Sequence, residues 1–206
     1  MTADTAILVF AKAPVAGRVK TRLIPLLGAE GAARAQAQLL RLSLATAARA
    51  APARLQLWCA PDTAHPELQA AAAVFGASLH AQQGDDLGAR MLHGLSTALA
   101  DFPLAVCIGT DCPALRAGHL NAAARHLREG CDAVLVPAED GGYALIGLRC
   151  SEPRLFAGID WGGPQVLAQT RERLRDCSLR WHELEMLWDV DRPADWQRLL
   201  DSGLIP

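Results

Sequence analysis

Lysine is scarce in this chain of 206 residues: only Lys12 and Lys20 are lysines among its 20 basic residues, and all the others are Arg. The formal net charge is −2, so no broad basic surface is available to hold nucleic acid or an anionic membrane. Lys supplies a compact point charge where Arg supplies a planar fork, so the two Lys mark their short segment as chemically distinct. We therefore expect neither nucleic-acid nor membrane partners, and we look to this segment for a local anion site.

The sequence also lacks the patterns that identify several classes of enzyme and membrane protein. Its six Cys include no C-x-x-C pair, which argues against a zinc-thiolate site and favours free, buried thiols. No H-x-x-H, H-E-x-x-H or G-x-S-x-G pattern supports a zinc or serine hydrolase. The first apolar run, residues 6–11, is too short for a signal peptide or a membrane span, so we expect a soluble, cytoplasmic protein.

The β-branched residues are few, with 9 Val and 6 Ile, and their clusters mark the predicted strands. Short apolar runs alternate with longer helical segments, which predicts a single α/β domain, residues 1–206, with a mostly parallel central sheet flanked by helices. The predicted strands are 5–11, 54–60, 78–81, 104–109, 133–137, 143–147 and 179–184. The predicted helices are 30–49, 67–75, 87–99, 116–129, 163–177 and 191–200.

Four cations and no acid follow the first predicted strand: Lys12, Arg18, Lys20 and Arg22. In open α/β sheets the ligand binds at the carboxyl ends of the strands, so this loop is well placed for a polyphosphate. Gly17 would let the backbone approach such a ligand closely. The segment is neither a Walker A motif nor G-x-G-x-x-G, and a solvated cationic loop is the alternative interpretation.

Asp111 comes shortly after the apolar run 104–109. A carboxylate at the end of a buried strand can hold Mg²⁺ or Mn²⁺ against substrate phosphates. The alternative is that Asp111 caps the next helix, although that helix is predicted to begin several residues later.

Two acidic segments further along could complete such a site. Asp140 lies in an Asp-Gly sequence typical of a hairpin turn, and the turn could also present its carboxylate to a substrate. Asp189 and Asp191 share one side of an extended segment, so either could be a second metal ligand. Asp191 could instead cap the last helix.

The segment 83–91 precedes a predicted helix and has two interpretations. Asp85 and Asp86 could cap this helix, whereas Gly88 would let a base or a ribose lie against the backbone. Trp161 differs from the other Trp because it follows an acid and precedes two Gly, and it could form a wall of an acceptor site.

Taken together, the segments 10–23, 84–91, 108–113, 137–143 and 189–193 resemble the bacterial family DUF2064, also called the radical-SAM/selenodomain-associated transferase 1 group. The resemblance covers nearly the whole chain. It implies a GT-A fold of the nucleotide-diphospho-sugar transferase type, with the nucleotide over the first loop and a metal at Asp111. The segment from Lys20 to Leu23 is also similar to one in phospholactate guanylyltransferases, and the Asp111 and Asp191 segments are similar to metal-binding segments of sugar nucleotidyltransferases.

From the residues and the resemblance we expect a transferase that depends on Mg²⁺ or Mn²⁺ and moves a sugar from a nucleotide-diphospho-sugar to a small-molecule acceptor. Asp111 and Asp140 are the candidate catalytic residues, Asp111 and Asp191 the metal ligands, and Tyr143 and Trp161 the acceptor side. The candidate nucleotide-binding residues are Lys12, Gly17, Arg18, Lys20, Arg22, Asp86, Gly88 and Arg90. Two alternatives remain open: nucleotidyl transfer that releases pyrophosphate from an NTP, and nucleotide binding without catalysis.

Overall fold

Seven strands form one sheet in the structure, a computed structural model that describes residues 2–205. The strands are β1 (Thr2–Lys12), β2 (Pro52–Ala60), β3 (Ser78–Ala81), β4 (Leu104–Ile108), β5 (Ala133–Pro137), β6 (Tyr143–Leu148) and β7 (Trp181–Glu183). Their order across the sheet is β3-β2-β1-β4-β6-β5-β7. Only β6 runs antiparallel to its neighbours within the described residues, so the prediction of a mostly parallel sheet is confirmed.

Helices cover both faces of the sheet. They are α1 (Ile24–Arg49), α2 (Pro66–Phe75), α3 (Leu87–Asp101), α4 (Ala117–Arg128), α5 (Val166–Asp176) and α6 (Pro193–Asp201). α1, α2 and α4 pack on one face, and α3 and α5 pack on the other. α6 packs against the first half of α1. The structure is therefore an α/β domain in which the sheet is the middle layer, as the alternation of strands and helices predicted.

Successive side chains of a strand point to opposite sides of the sheet, and helices cover both sides, so the strands are buried on both faces. In β1, Ile7 and Val9 face the layer of α1, α2 and α4, whereas Leu8 and Phe10 face α3. Such a strand reads as a continuous apolar run, which is why the few β-branched residues located the strands well.

Element boundaries differ from the predictions where local signals are weak. α1 begins at Ile24, before the predicted 30, and is broken at Gly28, whose φ of 71° lies in the left-handed region. The predicted helix 30–49 corresponds to the part of α1 after this break. The strand predicted at 179–184 shortens to Trp181–Glu183, and the helix predicted at 163–177 shortens to Val166–Asp176.

The cysteines are all free, but they are not all buried. Cys59, Cys107 and Cys112 are buried as expected, and burial raises the pKa of the Cys59 thiol to about 12. Cys150 is exposed, so the expectation of buried thiols was wrong there. No helix within residues 2–205 has the length and apolar character needed to cross a membrane.

The carboxyl ends of β1, β4 and β5 lie at one edge of the sheet, which we call the rim. Residues 187–191, here called the strap, run across the rim. The Leu187 N–H donates to the carbonyl of Pro137, the last residue of β5, at 2.9 Å, and the Val190 N–H donates to the carbonyl of Asp111 after β4, at 2.8 Å. Through these bonds the strap brings its acids beside those of the strand-end loops.

Candidate functional site

A cavity of about 640 Å³ opens at the rim. The loop after β4, the turn between β5 and β6, the strap and the start of α5 form its walls. Of the predicted residues, Arg22, Asp111, Asp140, Tyr143, Trp161 and Asp191 line it. The structure therefore brings the predicted metal and acceptor residues together around one space.

The other predicted nucleotide residues lie outside the walls of this cavity. Lys12 ends β1 and is exposed, and Arg18 is exposed in the turn that follows. Gly17 has a φ of 77°, so this turn requires a backbone conformation that Gly adopts without steric cost. The cationic loop thus borders the site from the β1 side, and its role toward a nucleotide stays a prediction.

Lys20 lies beneath Asp111 rather than free in solvent. Its Nζ is 2.7 Å from Oδ1 of Asp111 and donates to the carbonyl of Val190 at 2.6 Å. The side chain is 4% exposed, whereas that of Asp111 is 56% exposed. Lys20 also has a φ of 45°, a left-handed conformation that is unfavourable for a residue with a Cβ and often found at functional sites. Lys20 therefore connects the first loop to the loop after β4 and to the strap.

Arg22 forms an ion pair with Asp191 in the same way, at the cavity wall. Both partners are partly exposed, so solvent weakens the pair. Two of the predicted phosphate-binding cations thus pair with the two predicted metal ligands.

Asp111 is held in place by its backbone and by its neighbour Thr110. Gln36 of α1 donates to the Thr110 hydroxyl at 3.0 Å, and both of these side chains are buried. α4 begins at Ala117 with Arg116 at its N-cap position, so Asp111 does not cap this helix and the alternative interpretation is excluded. No sequence signal singled out Gln36, because a buried Gln on an apolar helix face resembles a surface residue until its partner is known.

The strap contains a second carboxylate, that of Asp189, which the sequence offers as an alternative metal ligand to Asp191. Burial, then repulsion from Asp140 and more weakly from Asp111 and Asp195, raises the pKa of Asp189 to about 6. Its carboxylate has no ion-pair partner among the described residues, whereas Asp191 has Arg22. Asp189 therefore belongs to the acidic side of the site together with Asp111 and Asp140.

Asp191 does not cap α6, so that alternative was wrong. The N-cap residue is Arg192, and the Asp195 carboxylate accepts its N–H at 2.7 Å and that of Asp191 at 3.1 Å. Asp195 at the third helical position supplies the local acid that a helix start needs. The Asp191 side chain is thereby left for Arg22 and the cavity.

Asp140 lies in a tight turn between β5 and β6, as its Asp-Gly sequence predicted. Its Oδ1 accepts the Gly142 N–H at 2.8 Å, and the turn closes through Gly141, whose φ is 89°. A Cβ at Gly141 would lie 2.1 Å from the Pro164 carbonyl oxygen, so the turn packs directly against the loop before α5. The turn and a cavity-facing Asp140 coexist.

The segment 84–90 has the structural role of starting α3. Asp86 is the N-cap residue and accepts the Ala89 N–H at 2.7 Å, and Arg90 donates to the Gly84 carbonyl at 2.9 Å. At Gly88, a Cβ would lie 2.4 Å from Nε1 of Trp161. The space predicted for a base or ribose beside Gly88 thus holds the Trp161 ring, and nucleotide binding by Asp86, Gly88 and Arg90 stays untested.

Tyr143 and Trp161 form an aromatic part of the cavity wall. Trp161 stacks on Phe156 with ring centroids 6.4 Å apart, and the contact with Gly88 further restricts it. The Tyr143 hydroxyl is buried beside that of Thr170, and burial raises the pKa of this phenol well above its usual value. Both residues line the cavity, and their contact with an acceptor stays a prediction.

The donor set at the rim is compatible with a divalent cation bound together with a nucleotide. Asp111, Asp189 and Asp191 offer carboxylate oxygens, the ligands that Mg²⁺ and Mn²⁺ prefer. No group of three or more His, Cys, Asp or Glu side chains between residues 2 and 205 is arranged to hold a metal by itself. Mg²⁺ is commonly held by one or two carboxylates plus substrate phosphates and water, so the residues fit an ion that arrives with its nucleotide.

Comparison with known proteins identifies the family. The profile of DUF2064, described as an uncharacterized protein conserved in bacteria, matches residues 43–163. The chain belongs to the DUF2064 family. This DUF2064 protein also resembles the crystal structure of a proposed nucleotide-diphospho-sugar transferase from Desulfovibrio desulfuricans G20, with 34% identity and a TM-score of 0.87. That alignment covers 98% of this chain and 88% of the other.

More distant structures share the fold of this DUF2064 protein. A CMP:2-keto-3-deoxy-manno-octonic acid synthetase in complex with CTP matches with 13% identity and a TM-score of 0.62, over 98% of this chain and 100% of the other. Glucosyl-3-phosphoglycerate synthase from Mycobacterium tuberculosis, in complex with Mn²⁺, UDP and glucosyl-3-phosphoglycerate, matches with 10% identity and a TM-score of 0.58, over 97% and 76%. A search of curated protein sequences finds no match. These likenesses confirm the predicted GT-A-like fold.

Proposed function

We propose that this DUF2064 protein is a metal-dependent glycosyltransferase that moves a sugar from a nucleotide-diphospho-sugar to a small-molecule acceptor. The observation that carries the proposal is that cations of the first loop pair with acids at the rim cavity. Lys20 pairs with Asp111, and Arg22 pairs with Asp191. These two acids and Asp189 line the cavity of about 640 Å³, and Asp140 lies in the same wall.

Each part of this arrangement has a role in transfer from a nucleotide-sugar. Arg22 would leave Asp191 for the donor phosphates, with Lys12 and Arg18 adding positive charge from the first loop. Asp111 and Asp191, joined by Asp189, would hold Mg²⁺ or Mn²⁺, which supplies positive charge to stabilise the leaving diphosphate. Lys20 would hold Asp111 and the strap in place while Arg22 exchanges Asp191 for the phosphates.

Asp140 would act on the acceptor. Its Oδ1 already accepts the Gly142 N–H, so Oδ2 is the atom that can take a proton from an acceptor hydroxyl. Tyr143 and Trp161 would position the acceptor against this carboxylate. Solved structures of this fold include one with Mn²⁺ and UDP, which supports the choice of donor and metal.

The experiment is a product assay that follows a thermal-shift screen. Purified protein is screened with UDP-, GDP-, ADP- and CDP-sugars and with NTPs, each with Mn²⁺ and with EDTA, and the stabilising compounds are then assayed for released products. We expect metal-dependent stabilisation by a nucleotide-sugar and release of a nucleoside diphosphate, both abolished in Asp111→Asn and retained in Asp101→Asn, an equal charge change at the exposed end of α3.

Other outcomes would replace the proposal. Release of pyrophosphate from an NTP would show nucleotidyl transfer, to which a fold shared with a CTP-binding synthetase is equally suited. Ligand stabilisation that is unchanged by EDTA and by Asp111→Asn would show nucleotide binding without metal-dependent catalysis.

A further inference from the structure

The charges that line the cavity are strongly unbalanced. Two basic side chains line it, Arg22 and Arg192, against six acidic ones: Asp111, Glu139, Asp140, Asp189, Asp191 and Asp195. Two of these acids have a cationic partner outside this set, since Lys20 pairs with Asp111 and Arg198 pairs with Glu139. Asp140 and Asp189 form no ion pair among the described residues, and burial together with their mutual repulsion raises the pKa of Asp189. The potential beside Asp140 is therefore negative and repels anions unless a local cation offsets it.

The acceptor end of the cavity contains no such cation. We define this end as the part of the cavity wall formed by Asp140, Tyr143, Trp161 and Pro164. Asp140 is its charged group, and it forms no ion pair among the described residues. Glu139 beside it is already paired with Arg198, at 2.9 Å. An anion entering here would lose its hydration next to a carboxylate, which is costly without a compensating partner.

The remaining groups at this end suit hydroxyls and apolar ring faces. Asp140 can accept a hydrogen bond from a hydroxyl or an ammonium group. The Tyr143 hydroxyl is buried beside that of Thr170, so the phenol ring is the part of Tyr143 that can pack against an acceptor. Trp161 is held against Gly88 and Phe156 and offers an aromatic wall, which attracts cations and packs against apolar surfaces.

We propose that the acceptor is a hydroxyl-bearing compound without negative charge, that is, an uncharged or amine-bearing polyol, and that Asp140 excludes phosphorylated and carboxylated ones. This inference rests on the proposed transferase function, because it names the acceptor of that same site. It assigns to Asp140 a role in selecting the acceptor by charge, in addition to its role toward the acceptor proton.

The test measures how the acceptor end selects small molecules by charge. A cysteine is introduced by Pro164→Cys, next to the Asp140 turn, in a chain whose exposed Cys150 is changed to Ser. The thiol is reacted with cationic trimethylammonioethyl methanethiosulfonate and with anionic sulfonatoethyl methanethiosulfonate, and mass spectrometry gives the two rates. Ala73→Cys on the exposed face of α2 provides the reference ratio of cation to anion, which corrects for the reagents themselves.

We expect a ratio at Pro164→Cys about tenfold above the reference at low salt, reduced by added salt. Asp140→Asn should lower the ratio about threefold, and Asp101→Asn, which removes the same charge elsewhere, should leave it unchanged. Repeating the measurement with bound Mg²⁺ and UDP should leave the ratio above the reference.

A ratio at or below the reference, or one that Asp140→Asn does not lower, would overturn the inference. The labelling rates are measured on metal-free protein without nucleotide, so they test the charge preference of the acceptor end independently of catalysis. Release of nucleoside diphosphate tests the transferase function, so the acceptor inference and the proposed function can fail separately.

Discussion

Lys20 shows that a single cation beside a candidate phosphate site can be buried in contacts within the protein. Its ammonium is buried between the Asp111 carboxylate and the Val190 carbonyl, 2.7 and 2.6 Å away. A buried charge is stable only while it is paired, so Lys20 and its two partners depend on one another. Lys20 stands out in the sequence because lysine is rare in this chain. The structure shows in addition that its ammonium joins the Asp111 loop to the strap.

Lys20→Ala should destabilise the protein. The substitution removes the buried ammonium and leaves the strap without one of its contacts, at an expected cost of about 2 kcal/mol, since Asp111 itself stays partly hydrated. Thermal unfolding without ligands should show a Tm lower by about 4–8 °C. Lys12→Ala is the control: Lys12 is exposed, and its loss should cost less than about 0.5 kcal/mol. Equal Tm values for the two variants would contradict a structural role for Lys20.

Asp189→Asn should stabilise the metal-free protein in a pH-dependent way. The folded-state pKa of about 6 lies above the usual aspartate pKa of 3.8, so the folded protein binds more protons between these pH values and its stability falls as pH rises through them. Asn cannot ionise, so the variant should be more stable than wild type above pH 6, by about 1 kcal/mol after solvent screening, and equal to it below about pH 4.

Urea unfolding at a series of pH values measures this difference for Asp189→Asn. Asp101→Asn provides the control for a carboxylate on the exposed end of α3. A stability difference that is constant with pH would show that Asp189 ionises as freely in the folded chain as in the unfolded one.

At the scale of secondary-structure elements, the start of α3 is built to receive the Trp161 loop. Asp86 caps the helix, and Gly88 in its first turn leaves room for the Trp161 ring. Any larger residue would place its Cβ against this ring, so Gly at this position keeps open the space that the ring occupies.

Gly88→Ala should disturb this contact, because the added Cβ would lie 2.4 Å from Nε1 of Trp161. The helix or the loop must then move, at a cost of about 2 kcal/mol, and the fluorescence of Trp161 should change. Gly118→Ala in the first turn of α4 is a matched control, since its Cβ would meet no atom within 4 Å. That variant should be neutral or stabilised by about 0.5 kcal/mol. If the two variants unfold at the same temperature, Trp161 does not depend on Gly88.

At the scale of the whole molecule, the rim combines charges from distant parts of the chain into two ion pairs. Lys20 pairs with Asp111, and Arg22 pairs with Asp191. A metal alone would take a carboxylate from Arg22, and a nucleotide alone would take the guanidinium from Asp191. Each ligand alone would leave an uncompensated charge. When both bind, the carboxylate pairs with the metal and the guanidinium pairs with the phosphates, so neither charge is left without a partner.

The proposed function therefore predicts that metal and nucleotide bind synergistically. Titration calorimetry with Mn²⁺ should give an affinity at least about tenfold higher in the presence of saturating UDP or GDP, and linkage requires the same factor for the nucleotide. Asp191→Asn frees Arg22 in advance and should reduce the coupling, whereas Asp101→Asn should preserve it. Equal Mn²⁺ affinities with and without both nucleotides would contradict the exchange of partners.

The features that the sequence predicted well depend on residues close together in the chain. Apolar runs located every strand of the sheet, the Asp140-Gly141 pair located a turn, and Asp86 located a helix start. The ordered motifs predicted the DUF2064 family and its fold, and both were confirmed. Boundaries were less accurate where a break such as Gly28 interrupts a helix that then continues.

Only the tertiary structure decided the partners of the site residues. Lys20 reaches a carbonyl 170 positions away, and Arg22 reaches a carboxylate 169 positions away. The unusual environment of Asp189 arises because the strap passes Asp140 and Asp111, and Trp161 fills the space beside Gly88 because two loops meet. The sequence by itself determined the α/β pattern, the family and the candidate residues, since local propensity and hydrophobic periodicity act over short stretches. Ion pairing and desolvation depend on distances set by chain packing, so only the folded chain shows which charges are paired and which are left for a ligand.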